Sequence, residues 1–278
     1  MSSGTRATPA PRESAASLVA WGLVFWTGVL AIGALLARSS TAAVALQAAA
    51  ADWAAGRLGI VWSEGETPRS AVARRALLGA SLGLAAGAIG IAGAVVFHVA
   101  TLRPEVPVVS SASLGLLVAA LTATRDELFV RGLVLRATQR RLPEWAALIA
   151  CGATTAAVRA AVDPAAPGPI AAEALRGIAL GALWLKGGGA WMPCAANAAW
   201  TWLTGSLTHG GLLDVAFAGE PTASWPVLVT LVATAAIALA WVARGGTGPA
   251  RLPANAQAGT RKAGYDGSDA PPSRPGAS

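Results

Sequence analysis

Thr124-Arg125-Asp126-Glu127-Leu128-Phe129-Val130-Arg131-Gly132 follows directly on an uncharged, largely apolar run that begins at Val106. In a water-soluble helix these four ionisable residues would be an ordinary solvated end. Their setting changes the reading. Of 278 residues only 13% are charged and 54% are hydrophobic, whereas about a quarter of a soluble domain is charged. Aromatics and cysteines do not fill the deficit, which excludes a disulfide scaffold, and the apolar content excludes a charged disordered chain except at the ends. What remains is an integral membrane protein. There, ionisable groups at membrane depth are costly and face the bundle interior or a wet cavity. The expected fold is all-α, a polytopic transmembrane bundle of about seven to eight spans.

Working outward, the polar residues 1–14 read as a disordered N-terminus, residues 15–243 as the transmembrane domain, and the Gly-, Pro- and Ser-rich residues 244–278 as a disordered cytoplasmic tail. The uncharged run Ala15–Ala37 is long enough for a bilayer core of about 30 Å. It is too long for a signal peptide, and no clean small-x-small site follows it. Residues 41–62, interrupted by Gln47, Asp52 and Arg57, read either as a weak second span or as a helix lying at the interface. Further spans are expected over Ala76–Ala100, Val106–Thr124, Trp145–Val162, Pro169–Leu185, Gly187–Thr208 and Pro221–Ala243. No internal repeat is evident.

The net charge is +7, and all basic residues but Lys186 and Lys262 are arginines. They cluster between apolar runs, which is the positive-inside pattern of a membrane protein rather than the footprint of nucleic-acid binding. The connections Arg69–Arg75 and Arg125–Arg141, the turn at Lys186 and the tail from Arg244 fall on the cytoplasmic side. The connections near Arg103–Glu105, Asp163 and His209–Glu220 fall outside. The composition, rich in Ala and Arg and poor in Lys, fits a GC-rich bacterial genome. The expected location is therefore the bacterial cytoplasmic membrane, crossed several times. Cys151 and Cys194 lie in apolar segments and read as small hydrophobes. No His, Cys, Asp or Glu cluster has metal-ligand spacing, and no cofactor motif is present.

Glu127 and Arg131 are four residues apart and can pair across one helical turn. Asp126 is turned by about 100° from Glu127 and can point into a different space. Two adjacent carboxylates backed by an arginine could supply one acid/base group and one structural partner, or could be an interfacial helix end with its charges reaching water. Arg159, within an apolar span, calls for an acidic partner, for which Asp126 or Glu127 is the natural candidate. Asn197 and Thr201 share a helix face; such small polar residues also serve plain helix–helix hydrogen bonding.

Together these residues resemble the CPBP family, the CAAX proteases and bacteriocin-processing proteins also called the Abi family. Its Glu-Glu-x-x-x-Arg motif, usually followed by Gly, is matched by Asp126-Glu127-Leu-Phe-Val-Arg131-Gly132. Its Phe-x-x-x-His motif falls on Thr155-Ala-Ala-Val-Arg159. Its third region is matched by Gly177-x-x-x-Gly181, Leu185-Lys186-Gly187, Trp191, Pro193 and Asn197-Ala-Ala-Trp-Thr201, where the family has His-x-x-x-Asn. The resemblance spans roughly residues 110–206. It implies intramembrane proteolysis, in which a glutamate aided by two histidines activates water and an asparagine stabilises the oxyanion.

Position by position, that machinery is altered. The first Glu is Asp126, the first His is Arg159, the second His is Asn197 and the oxyanion Asn is Thr201; only Glu127 and Arg131 keep their identity. Arginine does not give up its proton and asparagine does not titrate. His98 and His209 lie at the ends of other segments, so neither is placed to substitute. Three function classes follow: a catalytically degenerate family member that binds a membrane segment or partner protein, an active divergent glutamic-type intramembrane endopeptidase acting on a CAAX-like or sorting-signal substrate, and a small transporter using the charged cluster. The bilayer and a membrane-anchored protein or peptide are the partners implied. Neither nucleic acid nor a cofactor is, and oligomeric state is not legible.

Overall fold

The computed structural model of the chain describes residues 14–36, 39–63, 68–96, 98, 100–104, 109–138, 141–162, 167–207 and 213–217. All of these fall in one compact unit. The expected span Pro221–Ala243, the polar tail, His209 and nearly all of the N-terminal segment lie outside the described residues.

The described chain is helical except for one short ribbon. The helices are α1 (Ala15–Leu35), α2 (Ser40–Arg57), α3 (Arg69–Val96), α4 (Val109–Arg125), α5 (Gly132–Thr138), α6 (Glu144–Val162), α7 (Pro167–Gly187) and α8 (Trp191–Thr201). A π-helical turn, Asp126–Arg131, joins α4 to α5 without a break, and a second, Trp202–Leu207, extends α8. The ribbon pairs β1 (Ala100–Pro104) with β2 (Leu213–Phe217) in antiparallel register, Ala100 opposite Phe217 and Pro104 opposite Leu213. These strands were not legible in the sequence, where both segments read as connections. Each is too short and too far from its partner for an alternating pattern to show.

Two helices, over Ala16–Leu35 and Arg69–Gly93, are long and apolar enough to cross a membrane. Of the other helices, α4, α5 and α8 are shorter, with 17, 7 and 11 residues. Ser14 caps α1 through its Oγ, which accepts from the Ser17 amide at 3.1 Å. Phe25 of α1 stacks on Phe129 of the π turn with ring centroids 3.6 Å apart, and Leu18, Phe25 and Val29 join the main core with Leu128 and Leu135. Between the two readings left open for residues 41–62, the structure shows a helix that buries a full face. Ala43, Ala48, Ala51, Ala54, Ala55 and Leu58 are all buried.

Close backbone approach organises the rest. A Cβ on Gly79 or Gly83 of α3 would meet the carbonyl oxygens of Met192 and Ala196 at 2.1 Å, and one on Gly87 would meet Leu203. Both series rise together, so α3 and α8 run parallel in direct contact. On the other side α6 and α7 pack antiparallel, with Gly152 against Ala174 and Ile178, Gly177 against Cys151 and Thr155, and Gly181 against Leu148. Gly188 and Gly189 adopt φ of +62° and +137°, a left-handed geometry that side chains resist. They turn the chain from α7 into α8 under Trp62, whose carbonyl accepts from the Ala190 amide at 3.0 Å. The starts of α3 and α8 therefore share one end, where Arg75 lies against Gly188. The ribbon ties the opposite ends together.

Candidate functional site

The site forms where the π turn meets α8 and where α6 and α7 close against α1. A π turn is a local departure from α-geometry that occurs often at functional sites. Here it sends adjacent carboxylates to different places. Glu127 enters the core and is 0% exposed. Its Oε1 accepts from Arg131 Nη1 in the same turn and from Asn197 Nδ2 of α8 at 3.0 Å. Arg131 is 1% and Asn197 2% exposed. The Thr201 hydroxyl reaches Asn197 Oδ1 at 3.5 Å, at the long limit for a hydrogen bond. Four of the six candidate residues, Glu127, Arg131, Asn197 and Thr201, thus form one connected network through the centre of the bundle.

Asp126 goes elsewhere. Its Oδ1 accepts from Arg125 Nε at 2.7 Å, and Arg125 Nη1 donates to Gln47 Oε1 at 2.8 Å. Gln47, buried in α2, in turn donates through Nε2 to the Val29 carbonyl of α1 at 3.0 Å. The Trp26 ring lies 6.0 Å from the Arg125 guanidinium carbon. This relay was missed from the sequence, where Gln47 read only as an interruption of an Ala-rich helix and Arg125 as a cation at a helix end. The available signal was that a lone amide in a helix otherwise fit for burial needs partners. Replacing Gln47 by leucine is expected to cost about 1–3 kcal/mol, because two buried hydrogen bonds are lost and the Val29 carbonyl and Arg125 are left short of a partner. Thermal unfolding of the detergent-solubilised protein measures it, and an unchanged midpoint would remove the relay from the stabilising set.

Asp126 and Arg131 line a cavity of about 450 Å³ together with Arg125, Arg159, Glu173 and Arg176, and with Trp26, Val29 and Leu30 of α1. Glu173 and Arg176 pair on α7 at 2.9 Å. Arg159 is placed in the same wall as Asp126 but is exposed, while the hydrogen-bond partners of Glu127 are Arg131 and Asn197. Arg159 thus stands at an exposed cavity wall beside Asp126, one of the two carboxylates expected to face it. Because ion pairs in exposed settings contribute about 0–1 kcal/mol, Arg159→Ala is expected to shift the unfolding midpoint little. A loss as large as that of a buried pair would contradict this placement.

The remaining sequence candidates are easily placed. His98 is an exposed turn residue after α3, with φ +56°, and is not in the cavity wall. Cys151 and Cys194 are both buried and free; Cys194 Sγ lies 3.6 Å from Thr124 Oγ1. In the cluster, one Asn197 N–H is spent on Glu127 and the Thr201 hydroxyl is directed at Asn197. The two groups that could stabilise an oxyanion are thus each partly engaged in the core. Asp126 is the carboxylate presented to the cavity.

The family model described as Type II CAAX prenyl endopeptidase Rce1-like matches residues 108–203, a stretch running from the start of α4 through α8 and containing all six candidate residues. That segment is similar to the CPBP/CAAX-protease family. No curated protein sequence matches the chain.

Proposed function

We propose that the chain is a multi-pass protein of the bacterial cytoplasmic membrane, crossing it about seven or eight times, whose family cavity binds a membrane segment or membrane-anchored partner without cutting it. The family match and the two long apolar helices support a CAAX-protease-like membrane protein. One observation carries the finer reading. Asn197, at the position where the resemblance expects a histidine, is bonded into the Glu127–Arg131 ion pair. With Arg159 at the other histidine position, neither family histidine position carries an imidazole, and general-base activation of water loses its usual helper.

Asp126 favours a second reading, a divergent glutamic-type endopeptidase, because its carboxylate lines the cavity. The two are separated by proteolysis of candidate membrane substrates with the purified, reconstituted protein. Under the binding reading, substrates are retained and stay intact. Cleavage by the parent protein that disappears in Asp126→Ala and Glu127→Ala would overturn it.

A further inference from the structure

We infer that the cavity between α1, the π turn, α6 and α7 binds the phosphate of an anionic membrane lipid. This goes beyond the partner reading and requires only the cavity, so either can fail alone.

Four guanidinium groups, on Arg125, Arg131, Arg159 and Arg176, meet two carboxylates, Asp126 and Glu173, in the cavity wall. Counting Glu127, the buried partner of Arg131, cations still outnumber anions by one. The ion pairs also leave donors over. Arg131 engages Glu127 through Nη1, and Arg176 engages Glu173 through Nη2. The Nε atoms of both arginines are buried and have no hydrogen-bond partner among the described residues. Buried donors without acceptors are unfavourable. An oxyanion is the kind of acceptor such donors call for, and arginine forks suit phosphate in particular.

The rest of the cavity says what carries the anion. At about 450 Å³ it far exceeds a single inorganic ion and lies within the range of small-molecule sites, about 300–1,000 Å³. The wall facing the arginines is apolar: Trp26, Val29 and Leu30 of α1. Leu30 lines the cavity and is also 61% exposed, so this apolar wall continues onto the outer face of a helix long enough to cross a membrane. A site that is cationic inside and apolar toward the outer face fits an amphiphile with its headgroup inward and its chains outward. Basic pockets between transmembrane helices hold lipid headgroups in this way.

The full chain in detergent is the test material. Retention of phosphatidylglycerol and of phosphatidylcholine is compared by native mass spectrometry, with inorganic phosphate and an apolar peptide bearing a free C-terminal carboxylate as competitors. Phosphatidylglycerol is expected to be retained at least about tenfold better than phosphatidylcholine. The preference is expected to shrink to about threefold or less in Arg176→Gln and in Arg159→Gln. These positions are chosen because Arg131 belongs to the core, where a substitution acts on folding itself. Equal retention of the two lipids overturns the proposal. So does a preference untouched by both substitutions, which places the lipid elsewhere. Displacement of the lipid by inorganic phosphate at similar concentration reassigns the site to a free anion, and displacement by the peptide alone reassigns it to a carboxylate; either outcome overturns the lipid assignment.

Discussion

Arg131→Leu is expected to destabilise the bundle by about 3–5 kcal/mol, the cost of leaving a buried charge without its partner. Arg131 and Glu127 are 1% and 0% exposed, so water cannot replace the lost guanidinium. Asn197 Nδ2 remains on Glu127 Oε1, but one neutral donor does not offset a buried carboxylate, and Glu127 Oε2 already lacks a partner among the described residues. The double replacement Glu127→Leu with Arg131→Leu is expected to recover most of the loss, since exchanging both members of a buried pair for apolar groups is often neutral. Thermal unfolding in detergent reads both variants. If Arg131→Leu melts with the parent, the pair is not a core element. If the double variant is as unstable as the single one, the loss comes from packing rather than charge.

The second large effect lies on α3. Gly79→Ala with Gly83→Ala is expected to cost about 1–3 kcal/mol per site, the range for overpacking. Each new Cβ would stand 2.1 Å from a backbone carbonyl oxygen of α8, at Met192 or Ala196. A backbone carbonyl cannot rotate aside as a side chain can, so the helices must separate. That movement carries Asn197 away from Glu127, which couples a packing change to the centre of the site. Gly90→Ala is the control. Nothing lies within 4 Å of its Cβ position, and the gain in helix propensity is about 1 kcal/mol. A double variant as stable as the Gly90→Ala control would mean that α3 and α8 do not approach as described.

These effects show how much of the site could be read ahead of the fold. The i,i+4 spacing of Glu127 and Arg131 is a local property, and their pairing in the π turn realises it. The divergence of Asp126 from Glu127 is local too, since neighbouring side chains on a helix cannot share a direction. The identity of each partner is not local. Asn197 lies 70 residues from Glu127 and Gln47 lies 78 from Arg125, and both meetings depend on which helix faces turn inward. Arg159 shows the limit of the sequence argument. An arginine in an apolar span requires an acid, but that requirement does not reveal that α6 presents it at an exposed cavity wall.

By itself the sequence determined the apolar, helical character of the chain, its helical segments in outline and the altered family motif. Each is set by composition or by spacing within one turn, and so survives without knowledge of the fold. The tertiary structure alone decided that α2 packs into the core, that α3 and α8 run parallel in backbone contact, and that residues 100–104 and 213–217 form a ribbon. It also decided that Glu127 is sealed with Asn197 while Asp126 opens to a cavity lined by four arginines. The physical reason is that burial, hydrogen-bond satisfaction and close backbone approach belong to pairs of distant segments, and no local pattern encodes the distance between them.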